Sequence, residues 1–411
     1  MDFHTGPGPL DTLSHPASRP PANPDPAGFG IYVHWPFCAA KCPYCDFNSH
    51  VRHDGVDQNA FVEGYKREIA YLRELTGPRT ISSIFFGGGT PSLMSPATLE
   101  DLLDAIQNAW LLEAGIEITM EANPTSVEAQ RFKAYQNVGI NRVSLGVQAL
   151  NDTDLRALGR LHTVRQALVA LEIAARTFER FSFDLIYARP AQSLADWQDE
   201  LARALALGNR HLSLYQLTIE DGTPYAALHR AGRIQIPEPE LADDLYALTQ
   251  EMTAAAGMPA YEISNHAALG QESRHNLLYW RYGEYAGIGP GAHGRIICNG
   301  CRTATSNECL PETWLARLNH EDHAFTEMQP LNRQEQADEL LLMGLRITEG
   351  VNLDRLALVG GVKPSQARID ELIAEGLLAT GRDGNTVKAT ARGRFLLNSL
   401  VLELAASFEP A

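Results

Sequence analysis

The sequence predicts an α/β protein, a partial or complete β/α barrel followed by a C-terminal winged-helix-like domain. Three observations predict it. From Gly30 onward, short β-branched or aromatic runs alternate with stretches of helical period. Polar clusters recur at the C-terminal ends of successive strands, where β/α barrels carry their functional residues. Past Leu331 the texture changes to three amphipathic helices and a hairpin. At 411 residues, 45% hydrophobic and 20% charged, the chain has room for a large core and a second domain.

Residues 1–28 hold 7 of the 23 prolines and almost no apolar periodicity, and read as a disordered leader. The expected barrel, 29–230, has strands at Ile31–His34, Ser82–Phe86, Glu117–Glu121, Arg142–Val147, Ser182–Tyr187 and His211–Leu217. Helices are expected between them at Asn59–Leu75, Ala97–Ala109, Ser126–Asn137, Val164–Phe178 and Ala195–Leu207. This cadence implies parallel pairing through right-handed crossovers, and six units favour a barrel over a doubly wound sheet. A connecting region, 231–330, carries a helix at Pro239–Ala255, a strand-like Tyr261–Ser264 and an aromatic, glycine-rich segment, His275–Arg295. In 331–411, helices are expected at Glu335–Leu345, Asn352–Val359 and Pro364–Glu375, then a hairpin over Leu377–Lys388 turning at Asp383-Gly384-Asn385.

The formal net charge of -16 argues against nucleic acid or an anionic membrane surface as the main partner. The C-terminal domain, with 9 Lys+Arg against 11 Asp+Glu, lacks the basic face that DNA binding needs. No apolar run reaches the roughly 18 residues of a membrane span, and no signal peptide is legible, so the cytoplasm is the expected compartment. Six cysteines are too few for a disulfide framework in a chain this long.

Three of them form Cys38-x-x-x-Cys42-x-x-Cys45 on the loop leaving the first strand. A four-iron cluster usually takes four thiolates, so three leave one iron open to a substrate or cofactor. Cys298, Cys301 and Cys309 lack a fourth partner, and ordinary thiols are the favoured reading over a second metal site.

The run Tyr32-x-His34-x-Pro36-Phe37-Cys38-x-x-x-Cys42-x-Tyr44-Cys45 resembles the cluster loop of radical S-adenosylmethionine (SAM) proteins. The likeness is to the branch that contains oxygen-independent coproporphyrinogen III dehydrogenases and heme chaperones, and it extends from about Gly30 to the C-terminus. It implies a 4Fe–4S cluster on Cys38, Cys42 and Cys45, with SAM chelating the fourth iron. Gly87-Gly88-Gly89-Thr90-Pro91 resembles the family's glycine motif, so Gly88, Gly89 and Thr90 are implied at the methionine amino end. Glu121, in Glu121-Ala122-Asn123-Pro124, matches the carboxylate placed on the ribose. Gln148, Arg160 and Asp184 match further cofactor contacts, and Tyr32 and Tyr44 the cluster side.

The run His275-Asn276-Leu277-Leu278-Tyr279-Trp280 resembles a pattern that marks the heme-chaperone branch, where it is implicated in haem binding. Imidazole is the commonest axial ligand of haem iron, and Tyr and Trp offer flat apolar area to a porphyrin. The resemblance therefore implies His275 as haem ligand, with Tyr279 and Trp280 as pocket walls and His293 and His34 as weaker candidates. The implied function is to bind haem and pass it to acceptor haem proteins. An electron donor would serve the cluster, and a homodimer is compatible with the reading; no catalytic residue is assigned.

Three departures from the pattern stand out. Asp46-Phe47 occupies the place where the dehydrogenase has a further cysteine. The run Ala188-Arg189-Pro190-Ala191-Gln192 has alanines for two usual glycines and arginine for a leucine. The second cysteine trio has no counterpart. Rival readings are the dehydrogenase itself and a radical SAM methyltransferase or cyclopropanase.

Overall fold

A computed structural model describes residues 24–411. Six parallel strands follow one another across the main sheet: β1 (Phe29–Trp35), β2 (Thr80–Gly88), β3 (Leu111–Ala122), β4 (Arg142–Gln148), β5 (Arg180–Tyr187) and β6 (His211–Gln216). Beyond β6, the short β7 (Asn265–Ala267) pairs antiparallel. On the far side of β1, β8 (Glu284–Ile288) adds a further parallel strand. An antiparallel meander of β9 (His293–Cys298), β10 (Cys301–Asn307) and β11 (Phe325–Pro330) then extends the sheet. The 11 strands run from β11 to β7 without closing, so the barrel is partial.

Alternation along the strands separates two environments. On β1, Ile31, Val33 and Trp35 are buried in the main core with Leu72 of the helix Gln58–Thr76. The intervening face is polar. Ser144 on β4 pairs in register with Ser182 on β5, their hydroxyls 2.9 Å apart, and Asp184 pairs with Ser213 on β6. Helices start where the sequence supplies a capping oxygen: Asp57, Ser95, Thr163 and Ser193, the last two in full capping boxes.

Two expected elements differ. The helix expected at Ser126–Asn137 breaks into Ser126–Ala129 and Phe132–Val138. The break follows Glu128, whose buried carboxylate is tied to the Asn123 N–H and the Ser92 hydroxyl. Tyr261–Ser264 forms a chain reversal, with Glu262 accepting from the Ser264 N–H at 3.3 Å, and the strand begins only at Asn265.

The C-terminal helices are Arg333–Gly344, Leu353–Gly360 and Gln366–Ala374, and the hairpin strands Leu378–Thr380 and Thr386–Ala389. Helices Ala391–Phe395 and Leu397–Ala406, unforeseen in the sequence, complete a separate core around Leu341, Leu356, Leu400 and Leu404. The expected disordered leader lies outside the described residues up to residue 23, but its end is ordered. Asp25 is buried, accepting from Arg302 on β10 and, at 3.0 Å, from Arg355 on the helix Leu353–Gly360. One carboxylate thus joins the barrel meander to the C-terminal unit. No described helix is long and apolar enough to cross a membrane.

Candidate functional site

The loop leaving β1 is held from both sides. The Gly89 N–H donates to Trp35 O at 2.7 Å and the Thr90 N–H to Phe37 O at 2.9 Å, continuing the β1–β2 ladder into the loop. The Asn48 amide donates to the carbonyls of Pro290 and Cys309, both at 2.9 Å, while Asn48 O meets His34 Nε2 at 2.8 Å. Gly289 is required here: its φ is +103°, and a Cβ would lie 2.4 Å from His34 O. The glycine-rich run Gly287–His293 therefore buttresses the cysteine loop.

Cys38, Cys42 and Cys45 line a cavity of about 360 Å³ at the C-terminal ends of the parallel strands. Of the residues implied as SAM contacts, Tyr44, Gly88, Gly89, Thr90, Glu121, Gln148, Arg160 and Asp184 share this lining. Tyr32 does not. It lies three residues before the end of β1, where its hydroxyl meets His34 Nδ1 at 2.9 Å and its ring stacks on Phe85.

The electrostatics are those of a crowded acidic floor beside one guanidinium. Burial and the nearby Asp184 push the Glu121 carboxyl up to about 8, against the pull of the Gly88 N–H donating to it at 3.3 Å. Burial pushes Asp184 up to about 6, moderated by the Ser213 and Ser144 hydroxyls, the latter 3.2 Å away. Arg160 donates to Cys42 Sγ at 3.4 Å, to Asn123 Oδ1 at 2.5 Å and to Gly146 O at 2.9 Å. The N–H groups of Gly88, Gly89 and Thr90 are all committed, to Glu121, Trp35 O and Phe37 O.

The residues present fit an iron–sulfur cluster and a polar ligand. All three cysteines are free thiols. Among the described residues, no three ligating side chains gather around one point, as a single ion would require. A cubane takes one thiolate per iron, which suits this spread. Thr90 donates to Cys38 Sγ and Arg160 to Cys42 Sγ, both at 3.4 Å, while burial pushes the Cys38 and Cys45 thiols up. Gln148, held at a φ of 74°, has a buried Oε1 without a partner among the described residues, a polar atom in the cavity lining left for a ligand.

The other motif sits at the opposite end of the strands. The helix Arg274–Trp280 is capped by Ser273, and the N–H groups of Arg274 and His275 donate to Glu117 Oε1 on β3 at 2.9 and 3.4 Å. His275 Nδ1 meets Ser83 Oγ at 3.0 Å and its ring stacks on Phe85, centroids 5.1 Å apart. Burial alone pulls its pKa down to about 4, which keeps the imidazole neutral, the form that ligates metal. Its Nε2 makes no hydrogen bond among the described residues. Tyr279 is exposed and rests against Tyr285 and Trp280, centroids 5.5 and 5.4 Å apart. Ser83 precedes Gly88 by five residues on β2, which separates the two motifs by roughly 16 Å at about 3.3 Å per residue.

Of the weaker histidines, His34 loses its candidacy because both ring nitrogens are engaged, by Tyr32 and by Asn48 O. His293 is exposed on β9, its Nδ1 meeting Ser306 Oγ at 3.1 Å. Cys298 and Cys301 face each other across a tight hairpin, with Cys309 beyond the far end of β10, so their spacing reflects a turn. Phe47 lines the cysteine cavity and is 59% exposed.

At the altered run after β5, Ala188 and Ala191 adopt φ of 56° and 61°, conformations that favour glycine. Arg189 turns away from the cavity into a buried site with Glu200, Asp154 and Ile186 O. The cavity lining also contains Asn123, Ser144 and Tyr215, which sequence reasoning did not single out as contacts. A signal for Asn123 was present, because it stands two residues after Glu121 and donates to Thr90 Oγ1 at 3.3 Å. For Ser144 and Tyr215 only the fold supplies it.

Comparison with known proteins agrees with this geometry. The Radical SAM superfamily model matches residues 32–204, and the HemN C-terminal domain model residues 331–396. The mitochondrial radical S-adenosyl methionine domain-containing protein 1 of Bos taurus is 38% identical, over 98% of this chain and 92% of its own length. The heme chaperone HemW of Escherichia coli K12 is 35% identical over 90% of this chain and 96% of its own. Among solved structures, coproporphyrinogen III oxidase (HemN) from Escherichia coli superposes with a TM-score of 0.77 at 20% identity, over 92% of this chain and 90% of that one. At that identity the likeness shows a shared fold.

Proposed function

The chain belongs to the radical SAM proteins of the HemW family, and from that membership we propose that it is a heme chaperone, binding haem and passing it to acceptor haem proteins. The observation that carries the proposal is the placement of the neutral His275 imidazole, Nε2 free, at the opposite end of the strands from the cysteine cavity. Two ligands can then be held at once.

In this reading Cys38, Cys42 and Cys45 hold a 4Fe–4S cluster, with Thr90 and Arg160 supporting the sulfurs of Cys38 and Cys42. Glu121, Gln148 and Asp184 hold SAM against it. When bound, the cluster supplies an electron for reductive cleavage of SAM. Asn123 positions Arg160 and Thr90, and with Asp184 raised to about 6 and Glu121 to about 8 the two carboxyls carry about one negative charge between them near pH 7. Tyr279 and Trp280 flank the haem held by His275. An electron donor and a haem-acceptor protein complete the proposal, and six cysteines left as free thiols fit the reducing cytoplasm expected from the sequence.

The test is anaerobic reconstitution followed by haem titration of wild type and His275→Ala, with iron counted on both. The variant is expected to weaken haem binding and keep its cluster iron. Unchanged haem affinity in His275→Ala would refute the assignment. Conversion of coproporphyrinogen to protoporphyrinogen by the reduced protein would instead favour the dehydrogenase reading, which Phe47 disfavours by putting an aromatic ring where that enzyme has a thiol.

A further inference from the structure

A second cleft, about 320 Å³ in volume, lies between the β6 edge of the barrel and the C-terminal unit. That size is at the lower end for small-molecule sites. It shares the lining residue Gln216 with the cysteine cavity. Its walls include Tyr246 and Phe395, packed edge to face with centroids 5.2 Å apart, and both Phe395 and Leu396 are nearly half exposed. Such rings offer flat apolar area to a planar ligand.

Arg346 and Arg394 also line it, and neither has a carboxylate partner among the described residues. Arg346 donates to Leu342 O at 2.7 Å and Asn398 Oδ1 at 2.8 Å; Arg394 donates to Glu262 O at 3.4 Å. Asp243 is the one acidic residue in the lining, so the cleft is net positive on a chain of net charge -16. Arginine is the side chain suited to planar, bidentate capture of carboxylates. Arg346 also lies near the haem motif in the fold: Arg281, which follows the helix Arg274–Trp280, pairs with Glu349, three residues beyond Arg346.

We propose that this cleft receives the two propionate carboxylates of haem, with Arg346 and Arg394 as their partners and Tyr246 and Phe395 against the edge of the macrocycle. The proposal rests on the heme-chaperone reading. It adds a carboxylate site on the C-terminal side of the barrel opening, supplied by residues outside the motif of His275.

The test compares haem, haem dimethyl ester and iron-free protoporphyrin IX on wild type and on Arg346→Gln/Arg394→Gln, with melting temperature as the folding control. Wild type is expected to bind the ester at least tenfold more weakly than haem. The double variant is expected to bind haem and protoporphyrin at least tenfold more weakly than wild type, and the ester unchanged. Equal haem affinity in wild type and variant, or equal affinity of wild type for haem and ester, overturns the carboxylate site and leaves the chaperone reading intact. Failure of wild type to bind haem at all overturns the reading on which the site depends. If the variant does not fold, the comparison of haem with ester on wild type decides alone.

Discussion

Glu68 offers a test of how the cysteine loop is supported. It lies in the helix Gln58–Thr76 with its side chain fully buried, Oε2 accepting from the Gly289 N–H at 2.6 Å and Oε1 from Trp314 Nε1 at 3.3 Å. No Lys or Arg pairs with it among the described residues, and burial pushes its carboxyl up from 4.5 to about 7. Between those values the unfolded chain has released the proton while the folded chain keeps it, so stability falls as pH rises through this window. Each unit is worth about 1.4 kcal/mol, which makes the fall about 2 to 3 kcal/mol between pH 5 and pH 8. Glu68→Gln cannot ionise. Whatever fixed offset its amide introduces, its stability relative to wild type should improve by that amount over the same range. Urea unfolding of both proteins at pH 5, 6, 7 and 8 measures it. A stability difference that stays flat with pH would refute the argument.

Three further outcomes are expected. Asp25→Asn leaves the buried Arg302 guanidinium without its counter-charge and should cost about 3 kcal/mol; a melting temperature equal to wild type would show that the joint between barrel and C-terminal unit is elsewhere. Ala188→Gly relieves a left-handed backbone at the end of β5 and should stabilise the fold by about 1 kcal/mol, so a loss of stability on denaturant unfolding would mean that the strain is already relaxed. Arg160→Met removes the donors to Cys42, Asn123 and Gly146. It should raise the SAM dissociation constant about tenfold or more, the worth of a charge-assisted contact, and lower the iron bound on reconstitution; calorimetric titration at wild-type affinity would count against its role.

The strand order of the barrel was legible because each strand is a short β-branched or aromatic run followed by a helix with its own cap. The cysteine-lined cavity was equally legible, since Cys38, Cys42, Cys45 and the glycine run are local in the chain. Local spacing also misled: Tyr32 shares the cluster-loop run yet sits below the cavity, because its place along β1 is set by register. The broken helix at Glu128 and the reversal at Glu262 were hidden for a related reason. The Glu128 carboxylate is tied to Ser92, which only folding brings near; that of Glu262 bonds to Ser264, two residues on, but its burial is set by the fold.

The sequence by itself determined the alternation of strands and helices, the three-thiol loop and the family, all of which depend on residues close in the chain. The tertiary structure decided what distant residues do together. It joined Glu121 to Asp184 through burial, set His275 on Ser83 and Phe85, tied Asp25 to two arginines from different units, and opened a cleft with Arg346 and Arg394 facing it. Those relations depend on distances across strands and between units, which residue order alone does not contain.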